Sequence, residues 1–242
     1  MTYNCNGERS RTILKLYNKL MKKPSFKEEK KIWKKGCEFV IGVDEVGRGS
    51  FAGPVVAGAV VFKIGSNFKN GMLSQVNDSK LLSPRKRDIL SKAIKNEAMF
   101  YSIATIGVSV INKLGIKKAS EKAFRKALSN IISKTSKKSE YSILNTKYYL
   151  LADGFHIKYI RGIGLINQKA IIKGDRKSIS IAAASIIAKV YRDKLMRKLN
   201  RKYPGYGFAR NKGYGTKLHQ AALKKYGLTE IHRTSFNLNK FL

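Results

Sequence analysis

Two apolar runs joined by a glycine-rich turn constrain the fold of this chain most. Residues 39–43 and 55–62 are rich in Val, Ile and Phe, and Gly47-Arg48-Gly49 lies between them. Runs of this kind on either side of a Gly-containing connection predict a β-hairpin. A hairpin at this place would supply two neighbouring strands of a sheet.

Asp44 and Glu45 stand side by side at the end of the first run, in a chain where acids are scarce. There are 15 acidic residues against 50 basic ones, and the formal net charge is +35. This balance favours a polyanionic partner, nucleic acid before an anionic membrane surface, although a lysine-rich proteome would also produce it. Because unpaired charge near a core is costly, the acid pair predicts a bound cation.

Composition restricts the class of protein further. Two cysteines, Cys5 and Cys37, are too few for a disulfide framework or a zinc site, and the three histidines are scattered. The polar start of the chain predicts no signal peptide, and no apolar stretch reaches the ~20 residues of a membrane span. We therefore expect a soluble, cytoplasmic protein without a membrane partner, most simply a monomer.

Strands and helices alternate along the chain, which predicts an α/β sheet with helices packed on it. Ser83 is a suitable N-cap for a helix that begins at Pro84. Apolar residues at helical spacing also occur in the basic segment 1–35, where we expect a surface helix or a frayed arm. The predicted helices cover residues 84–97, 117–134, 179–199 and 217–226, the later strands cover 99–110, 148–152 and 170–172, and a loop covers 135–146.

Acidic residues follow three predicted strands: Asp44 with Glu45, then Asp153, then Asp175. Side chains at neighbouring strand ends can converge, and carboxylates without His or Cys select hard ions such as Mg²⁺ or Mn²⁺. Two such ions can serve phosphodiester hydrolysis. Taken singly, Asp153 and Asp175 also suit ordinary turns. Adjacent strand residues point to opposite faces, so Glu45 joins the site only if the strand ends or bulges, which Gly47 favours.

Asp193 is a fifth acidic candidate, within the predicted helix 179–199. It lies four residues from both Lys189 and Arg197. This spacing favours an ion pair on the helix surface over a place in the metal site.

The Gly-Arg-Gly turn has three interpretations. A dinucleotide-binding loop would open a helix, but a β-branched run follows here, which excludes it. A plain hairpin turn remains possible, and so does a close approach of the backbone to a phosphate or sugar. The acid pair next to the turn favours the close approach.

The C-terminal residues 203–216 interleave tyrosines, glycines and basic residues. Aromatic faces stack on bases or sugars, while Lys and Arg contact phosphates. From this segment alone, a connector packed on the core is an equally good interpretation.

Several motifs in order resemble the type 2 ribonuclease H family, in its bacterial ribonuclease HII form. The resemblance covers residues 38–236, and its Gly-Arg-Gly form is typical of HII rather than HIII. The matching segments are Gly-Val-Asp-Glu-Val-Gly-Arg-Gly at 42–49, Asn-Asp-Ser-Lys at 77–80, Asp-Gly at 153–154, Lys-Gly-Asp at 173–175, the Ala-rich helix 181–193, Tyr-Gly-Phe at 206–208, Lys-Gly-Tyr at 212–214 and His-Arg-Thr-Ser-Phe at 232–236.

The resemblance implies an α/β fold: a ribonuclease H-like mixed sheet flanked by helices, with a small helical C-terminal region. It divides the chain into a basic helical extension (1–35), a catalytic domain (36–200) and a substrate-binding region (201–242). The implied substrates are RNA–DNA hybrids, whose RNA strand is cut, and ribonucleotide-containing duplex DNA, nicked 5′ to a single ribonucleotide. The products would carry 3′-hydroxyl and 5′-phosphate ends.

The resemblance also assigns site residues. The catalytic and metal-binding acids, for two ions of Mg²⁺ or Mn²⁺, would be Asp44, Glu45, Asp153 and Asp175. The implied substrate contacts are Gly47, Arg48, Gly49, Lys80, Ser185, Lys189, Lys212 and Tyr214, with Gly47–Gly49 and Tyr214 sensing the 2′-hydroxyl. Two positions depart from the family pattern. Leu81 replaces a second lysine and loses a phosphate contact, and Gly215 replaces a proline, which predicts a looser turn at Tyr214.

Two other functions remain as alternatives. A non-catalytic basic protein would bind nucleic acid through charge alone, with a steep salt dependence and no metal-dependent product. A DNA recombination nuclease or transposase of related fold would cut all-DNA junctions. The strand-end acids disfavour the first, and the second leaves Tyr214 and the Gly-Arg-Gly turn unexplained.

Overall fold

A mixed five-stranded sheet forms the centre of the protein. The computed structural model describes residues 23–68, 71–136 and 148–242. The strand order is β3-β2-β1-β4-β5, with β1 and β2 antiparallel, β2 and β3 antiparallel, and β1, β4 and β5 parallel. The predicted mixed sheet and hairpin are confirmed. The strands are β1 (Phe39–Val46), β2 (Val55–Val61), β3 (Phe100–Ile106), β4 (Tyr148–Asp153) and β5 (Gln168–Ile171).

Helices cover both faces of this sheet, as the α/β prediction requires. The helices are α1 (Lys27–Trp33), α2 (Pro84–Glu97), α3 (Val108–Ser136), α4 (Ile179–Lys202), α5 (Phe208–Asn211) and α6 (Lys217–Tyr226). Side chains of β1 and β2 are buried against α3 on one face and against α4 on the other. Strands covered on both faces are continuously apolar, which accounts for the uninterrupted runs in the sequence.

Some predicted boundaries were wrong. The strand predicted to reach residue 110 ends at Ile106, because α3 begins at Val108. The helix predicted over residues 117–134 is longer, and Gly115 breaks it with a positive φ of 76°. Ser83 does cap α2, since its side chain accepts the Lys86 N–H. Of the predicted loop 135–146, residues 137–146 lie outside the described ranges.

Glycines let α4 approach the sheet closely, and this approach positions the site. A Cβ at Gly42 would lie 2.2 Å from the carbonyl carbon of Ser180, and one at Gly58 would lie 2.3 Å from the carbonyl oxygen of Ala184. Backbone of α4 therefore occupies the space that side chains would take. The same face of α4 carries Ser185, which reaches Asp44.

The described part of the N-terminal segment packs into the core instead of lying on the surface. Phe26 and Ile32 are buried, and so is Glu29. Glu29 accepts hydrogen bonds from the Ser178 hydroxyl at 2.6 Å and the Ser180 N–H at 2.9 Å. Burial of Phe26 and Ile32, with the bonds to Glu29, ties α1 to the start of α4. The helical spacing expected between residues 13 and 21 lies outside the described residues.

The C-terminal region packs a small apolar cluster against the loop that joins β1 to β2. Ala52 of that loop is buried with Met196, Phe208 and Leu223. The region is largely helical, as predicted. None of the helices in the described ranges is long and apolar enough to cross a membrane. The division at residues 36 and 201, the monomer and the cytoplasmic location stay predictions.

Candidate active site

The predicted acids line one cavity at the carboxyl ends of three neighbouring parallel strands. Asp44 and Glu45 lie near the end of β1, Asp153 ends β4, and Asp175 lies in the turn after β5. The cavity has a volume of about 480 Å³. A larger cavity of about 610 Å³ lies beside α1, but no acid lines it, so the carboxylates single out the smaller one.

Asp44 and Glu45 both reach the cavity although β1 has no bulge. Regular pairing with β2 continues through Glu45 to Val46, where the strand ends just before Gly47. The pairing with β4 stops earlier, at Val43. The last residues of β1 are therefore open on that side, which lets adjacent side chains on opposite faces reach one cavity. Of the two possibilities that the sequence left open, a strand end or a bulge, the structure shows the strand end.

Asp153 and Asp175 are joined through a tight turn. Lys173 adopts a left-handed φ of 54°, and the Gly174 N–H donates to Oδ1 of Asp153 at 2.7 Å. A Cβ at Gly174 would lie 2.7 Å from Cδ1 of Ile181, so only glycine fits. The turn places the buried Asp175 beside the cavity.

Burial and mutual repulsion act on the acids together. Burial, with the charges of Glu45 and Asp153, raises the pKa of Asp44 well above its usual range. Burial also raises the pKa of Glu45, against the opposing effect of Arg48. Burial and the charge of Asp78 raise the pKa of Asp175 to about 6. Like charges in a buried site raise carboxylate pKa values, and a cation relieves that repulsion.

The donor set of the cavity suits a hard divalent cation. All four acids offer oxygen, the ligand that Mg²⁺ and Mn²⁺ prefer. Within the described residues, no three or more Asp, Glu, His or Cys side chains lie close enough together to form a complete metal site. Nearby donors hold the carboxylates instead: Oδ1 of Asp44 accepts the Glu45 N–H at 2.7 Å, and Oδ1 of Asp153 accepts that of Gly174. The carboxylates repel one another, and they offer oxygen ligands. Both properties fit a bound divalent ion.

The Gly-Arg-Gly turn forms a wall of the same cavity. Gly47 has a φ of 92°, and a Cβ there would lie 2.1 Å from Nε of Arg192. The Arg48 guanidinium lies 5.4 Å from the centre of the Phe155 ring and 3.5 Å from Glu45. Gly49 has open space where a side chain would be. Backbone is thus exposed to the cavity, as the close-approach interpretation requires.

Tyr214 faces the Gly-Arg-Gly turn across the cavity. Its backbone pairs with that of Ser50, so the two loops are joined. Cationic groups lie on its ring, Arg192 at 5.5 Å and Lys189 at 5.6 Å from the centroid. The aromatic C-terminal segment is therefore more than a connector, since one of its tyrosines lines the acid-containing cavity.

Most of the other predicted contacts line the cavity, and one does not. Lys80, Ser185 and Lys189 line it. Lys212 lies outside, because its left-handed backbone turns its carbonyl to Arg192 and its ammonium to the carbonyl of Ala209. Burial lowers the pKa of Lys212. Lys212 therefore does not line the cavity, and its predicted substrate contact stays a prediction.

Asp193 is an ion-pair residue, but it is not on the surface. Nζ of Lys189 lies 2.9 Å from its Oδ1, as predicted, while the second cation is Arg87 at 3.7 Å and not Arg197. Asp193 is buried because α2 packs over this part of α4. The pair helps to fix Lys189 at the cavity.

Sequence reasoning assigned no role to some residues that shape the site, although they lie within the matching motifs. Ser79 lines the cavity and lies 3.0 Å from the Ser185 hydroxyl. The buried Asp78 accepts the Lys80 N–H at 2.9 Å and pairs with Arg176. Arg192 was also missed. Arg192 lies four residues after Ala188, on the buried face of α4, and this spacing could have indicated that its side chain is buried.

Glycine at position 215 does not leave the Tyr214 turn unsupported. A Cβ there would lie 2.2 Å from the Phe51 ring, which packs on the glycine backbone. The Thr216 N–H donates to the Tyr214 carbonyl at 2.8 Å, and Gln220 donates to the Gly215 carbonyl at 2.8 Å. These contacts replace the rigidity expected of proline. Leu81 is exposed, and its loss of charge has no visible compensation.

Comparisons with known proteins show the family of this chain. The family model for ribonuclease HII matches residues 41–239. The ribonuclease HII of Caldanaerobacter subterraneus subsp. tengcongensis is 44% identical over 86% of this chain and 78% of the relative. That of Caldicellulosiruptor bescii is also 44% identical, over 88% of this chain and 94% of the relative.

Solved structures show the same architecture. The ribonuclease H2 from Pyrococcus horikoshii OT3 aligns with a TM-score of 0.62 and 27% identity, covering 84% of this chain and 96% of that one. Bst-RNase HIII in complex with Mn²⁺ aligns with a TM-score of 0.63 and 20% identity, covering 84% and 68%. The second similarity concerns the fold alone.

Proposed function

The chain belongs to the ribonuclease HII family and is an endoribonuclease that acts on RNA–DNA hybrids, and on this premise we propose a finer specificity. The enzyme cuts the RNA strand of hybrids and also nicks duplex DNA 5′ to a single embedded ribonucleotide. The products carry 3′-hydroxyl and 5′-phosphate ends. The 2′-hydroxyl is recognised and does not act as the nucleophile.

One observation supports this specificity most. The four acids, the Gly-Arg-Gly turn and Tyr214 line a single cavity of about 480 Å³. A 2′-hydroxyl is the group that distinguishes RNA from DNA at a given site. Hydrolytic and sugar-reading groups therefore lie within reach of one nucleotide.

We assign the metal to the four acids, Asp44, Glu45, Asp153 and Asp175, as a two-ion site for Mg²⁺ or Mn²⁺. Divalent ions bound there would supply an activated water and charge stabilisation for the leaving oxygen. The similar Bst-RNase HIII structure contains Mn²⁺. On the protein side, Ser185 hydrogen-bonds to Asp44, and Gly174 holds Asp153, so each carboxylate has a fixed orientation.

Recognition of the ribonucleotide is assigned to backbone and to one hydroxyl. Gly47 and Gly49 let the backbone approach the sugar, and Arg48 supplies charge at the mouth of the cavity. The Tyr214 hydroxyl is a donor and an acceptor suited to a 2′-hydroxyl. The ammonium groups of Lys80 and Lys189 face the phosphates. Arg192 donates to the Lys212 carbonyl and so supports the backbone next to Tyr214.

The test uses matched duplexes with one labelled strand. The first contains a single ribonucleotide in DNA, the second is all DNA, and the third is an RNA–DNA hybrid. With Mg²⁺ or Mn²⁺, we expect cleavage of the first, 5′ to the ribonucleotide, and of the third. The product ends are checked by mobility against synthetic markers with and without a terminal phosphate.

Each alternative predicts a different result in this assay. Binding without a metal-dependent product would indicate a non-catalytic basic protein. Cleavage of the all-DNA duplex at a comparable rate would indicate a DNA nuclease of related fold. Either outcome would overturn the proposed specificity.

A further inference from the structure

Two buried histidines lie directly behind Tyr214. His219 and His232 are 0% and 1% exposed, and their Nε2 atoms are 3.1 Å apart. Nδ1 of His219 lies 3.0 Å from the carbonyl oxygen of Tyr214. Nδ1 of His232 lies 2.9 Å from the backbone nitrogen of Thr229. The two rings therefore form a continuous hydrogen-bonded chain from Thr229 to Tyr214.

The two ends of this hydrogen-bonded chain determine which nitrogen of each histidine ring carries a proton. The Thr229 hydroxyl lies 2.8 Å from the same Nδ1 and can turn to donate, while the Thr229 N–H can only donate, so Nδ1 of His232 must be an acceptor. The Tyr214 carbonyl can only accept, so Nδ1 of His219 must carry a proton. Neutral rings then have one arrangement left: His232 carries its proton on Nε2 and donates it to Nε2 of His219.

A charged form of either ring would break the chain. A second proton on His219 would set two N–H groups against each other at the Nε2 contact, and one on His232 would oppose the Thr229 N–H. The surroundings also disfavour charge. Apart from the two histidines, the rings that pack on the pair are those of Phe51, Tyr206 and Phe208, and the adjacent Arg233 bonds to backbone carbonyls.

Electrostatics agree with a neutral pair. Burial lowers the pKa of His219. Burial and the neighbouring His219 lower the pKa of His232 to about 4. Both shifts favour the neutral rings that the geometry requires.

The pair also connects two points of the segment that follows the Gly-Arg-Gly turn. Tyr214 pairs through its backbone with Ser50, and His232 pairs through its backbone with Ala52. A bond between the two histidines therefore closes a ring of contacts around residues 50–52. A shift of either histidine would move both the Tyr214 hydroxyl and the Gly-Arg-Gly turn.

We propose that His219 and His232 are positioning residues that fix Tyr214 for ribonucleotide recognition through this one ordered chain of hydrogen bonds. The role of Tyr214 rests on the proposed function. The order of the protons does not, and this separates the two tests.

Two substitutions at position 219 separate positioning from mere packing. In His219→Asn, the amide nitrogen replaces Nδ1 and still donates to the Tyr214 carbonyl. In His219→Gln, the amide reaches the place of Nε2, which keeps the contact to His232 and loses the one to Tyr214. We expect Gln to slow cleavage at a single ribonucleotide by about fivefold, the effect of losing one hydrogen bond of ~1 kcal/mol from a misplaced Tyr214 hydroxyl.

The measured quantity is the rate at the single ribonucleotide divided by the rate on a long hybrid. We expect His219→Asn to stay within about threefold of the wild-type ratio, a loss smaller than one hydrogen bond makes. A ratio that is unchanged in both variants, or lowered equally in both, would overturn the positioning role.

Nitrogen NMR of the histidine rings tests the hydrogen-bonded chain without any substitution or substrate. The protein has three histidines, and the exposed His156 is an internal control. We expect the proton on Nδ1 in His219 and on Nε2 in His232 at pH 7. Any other tautomers, or a charged ring at pH 7, would overturn the proposal. A wild-type enzyme that ignores ribonucleotides would instead overturn the proposed function and leave these tautomers intact.

Discussion

The cavity has an acidic side, formed by Asp44, Glu45, Asp153 and Asp175, and a reading side, formed by residues 47–54 and Tyr214, which we propose contacts the sugar. The two sides accommodate buried charge in opposite ways. On the acidic side, Asp44, Glu45 and Asp175 have raised pKa values, because each is buried close to other carboxylates. On the reading side, Arg192 and Arg233 are fully buried, yet their guanidinium groups are bonded to neutral backbone carbonyls.

The contacts of the two arginines show how complete the reading side is. Arg192 donates to the carbonyls of Pro54, Ala52 and Lys212 at 2.9, 3.2 and 2.9 Å. Arg233 donates to the carbonyls of Gly53 and Arg48, both at 2.8 Å. Charged donors make the stronger hydrogen bonds in proteins. The loop that we propose contacts the sugar is therefore held in place by hydrogen bonds within the protein, without a ligand.

The difference indicates that the two sides have separate requirements. Under the proposed function, the acidic side requires added cations, whereas the reading side is held by hydrogen bonds within the protein itself. Binding and hydrolysis should therefore respond to different substitutions. The following predictions test that separation, from the largest expected effect to the smallest.

Asp44→Asn should abolish cleavage of every substrate. The change removes one of the charges that hold the cations and keeps the size of the side chain. We expect a loss of at least about a hundredfold, which is typical when one group that stabilises developing charge is removed. Cleavage is measured under single-turnover conditions with saturating Mg²⁺ or Mn²⁺. An active Asp44→Asn enzyme would refute the metal site.

Arg233→Met should destabilise the fold by at least about 3 kcal/mol, because it leaves several buried carbonyls without a donor. Arg48→Met is the matched control: its side chain is 46% exposed, and such ion pairs contribute no more than about 1 kcal/mol. Urea unfolding gives both values. Similar small losses in the two variants would mean that Arg233 does not hold the reading loop.

Tyr214→Phe should reduce cleavage at a single ribonucleotide by about fivefold, the effect of one hydrogen bond of ~1 kcal/mol. The ring and its contacts with Arg192 and Lys189 remain, so the fold and general binding should be unchanged. Tyr214→Ala should weaken discrimination further. Equal losses on all substrates would make Tyr214 a structural residue. The measurement is the ratio of rates on the single-ribonucleotide duplex and the long hybrid.

Asp44→Asn should raise the Tm of the metal-free protein by about 2 to 4 °C, which ~1 kcal/mol produces in a domain of this size. Because the folded pKa of Asp44 is raised, its charge disfavours the folded state at pH 7. The same penalty from Asp175 is relieved as the pH falls through about 6. The Tm difference, measured in EDTA, should therefore shrink towards pH 5. A lower Tm for the variant would contradict the repulsion between the acids.

The acids and the reading loop were largely predictable from the sequence because each follows an apolar run at a strand end. Asp44, Asp153 and Asp175 follow strands that turned out to be parallel neighbours, so their carboxyl ends coincide. The position of each acid next to a buried apolar run was enough to predict that the acids share one site. No distance between side chains was needed for that prediction.

The supporting residues could not be predicted in the same way. Arg192 and Arg233 bond to carbonyls, and backbone carbonyls have no signature in a sequence. His219 and His232 are 13 residues apart and meet only through the packing of α6 on the C-terminal turn. The left-handed backbone of Lys212, which places its side chain outside the cavity lining, is likewise not revealed by the Lys-Gly-Tyr motif.

The most direct test measures binding of the Asp44→Asn protein without divalent ions. Two labelled duplexes, identical except for one ribonucleotide, are compared by fluorescence anisotropy in EDTA at fixed ionic strength. If the reading side is organised independently of the acids, the ribonucleotide duplex should bind about fivefold more tightly, the effect of one ~1 kcal/mol hydrogen bond. Equal affinities for the two duplexes would contradict this account, because recognition would then depend on the metal site.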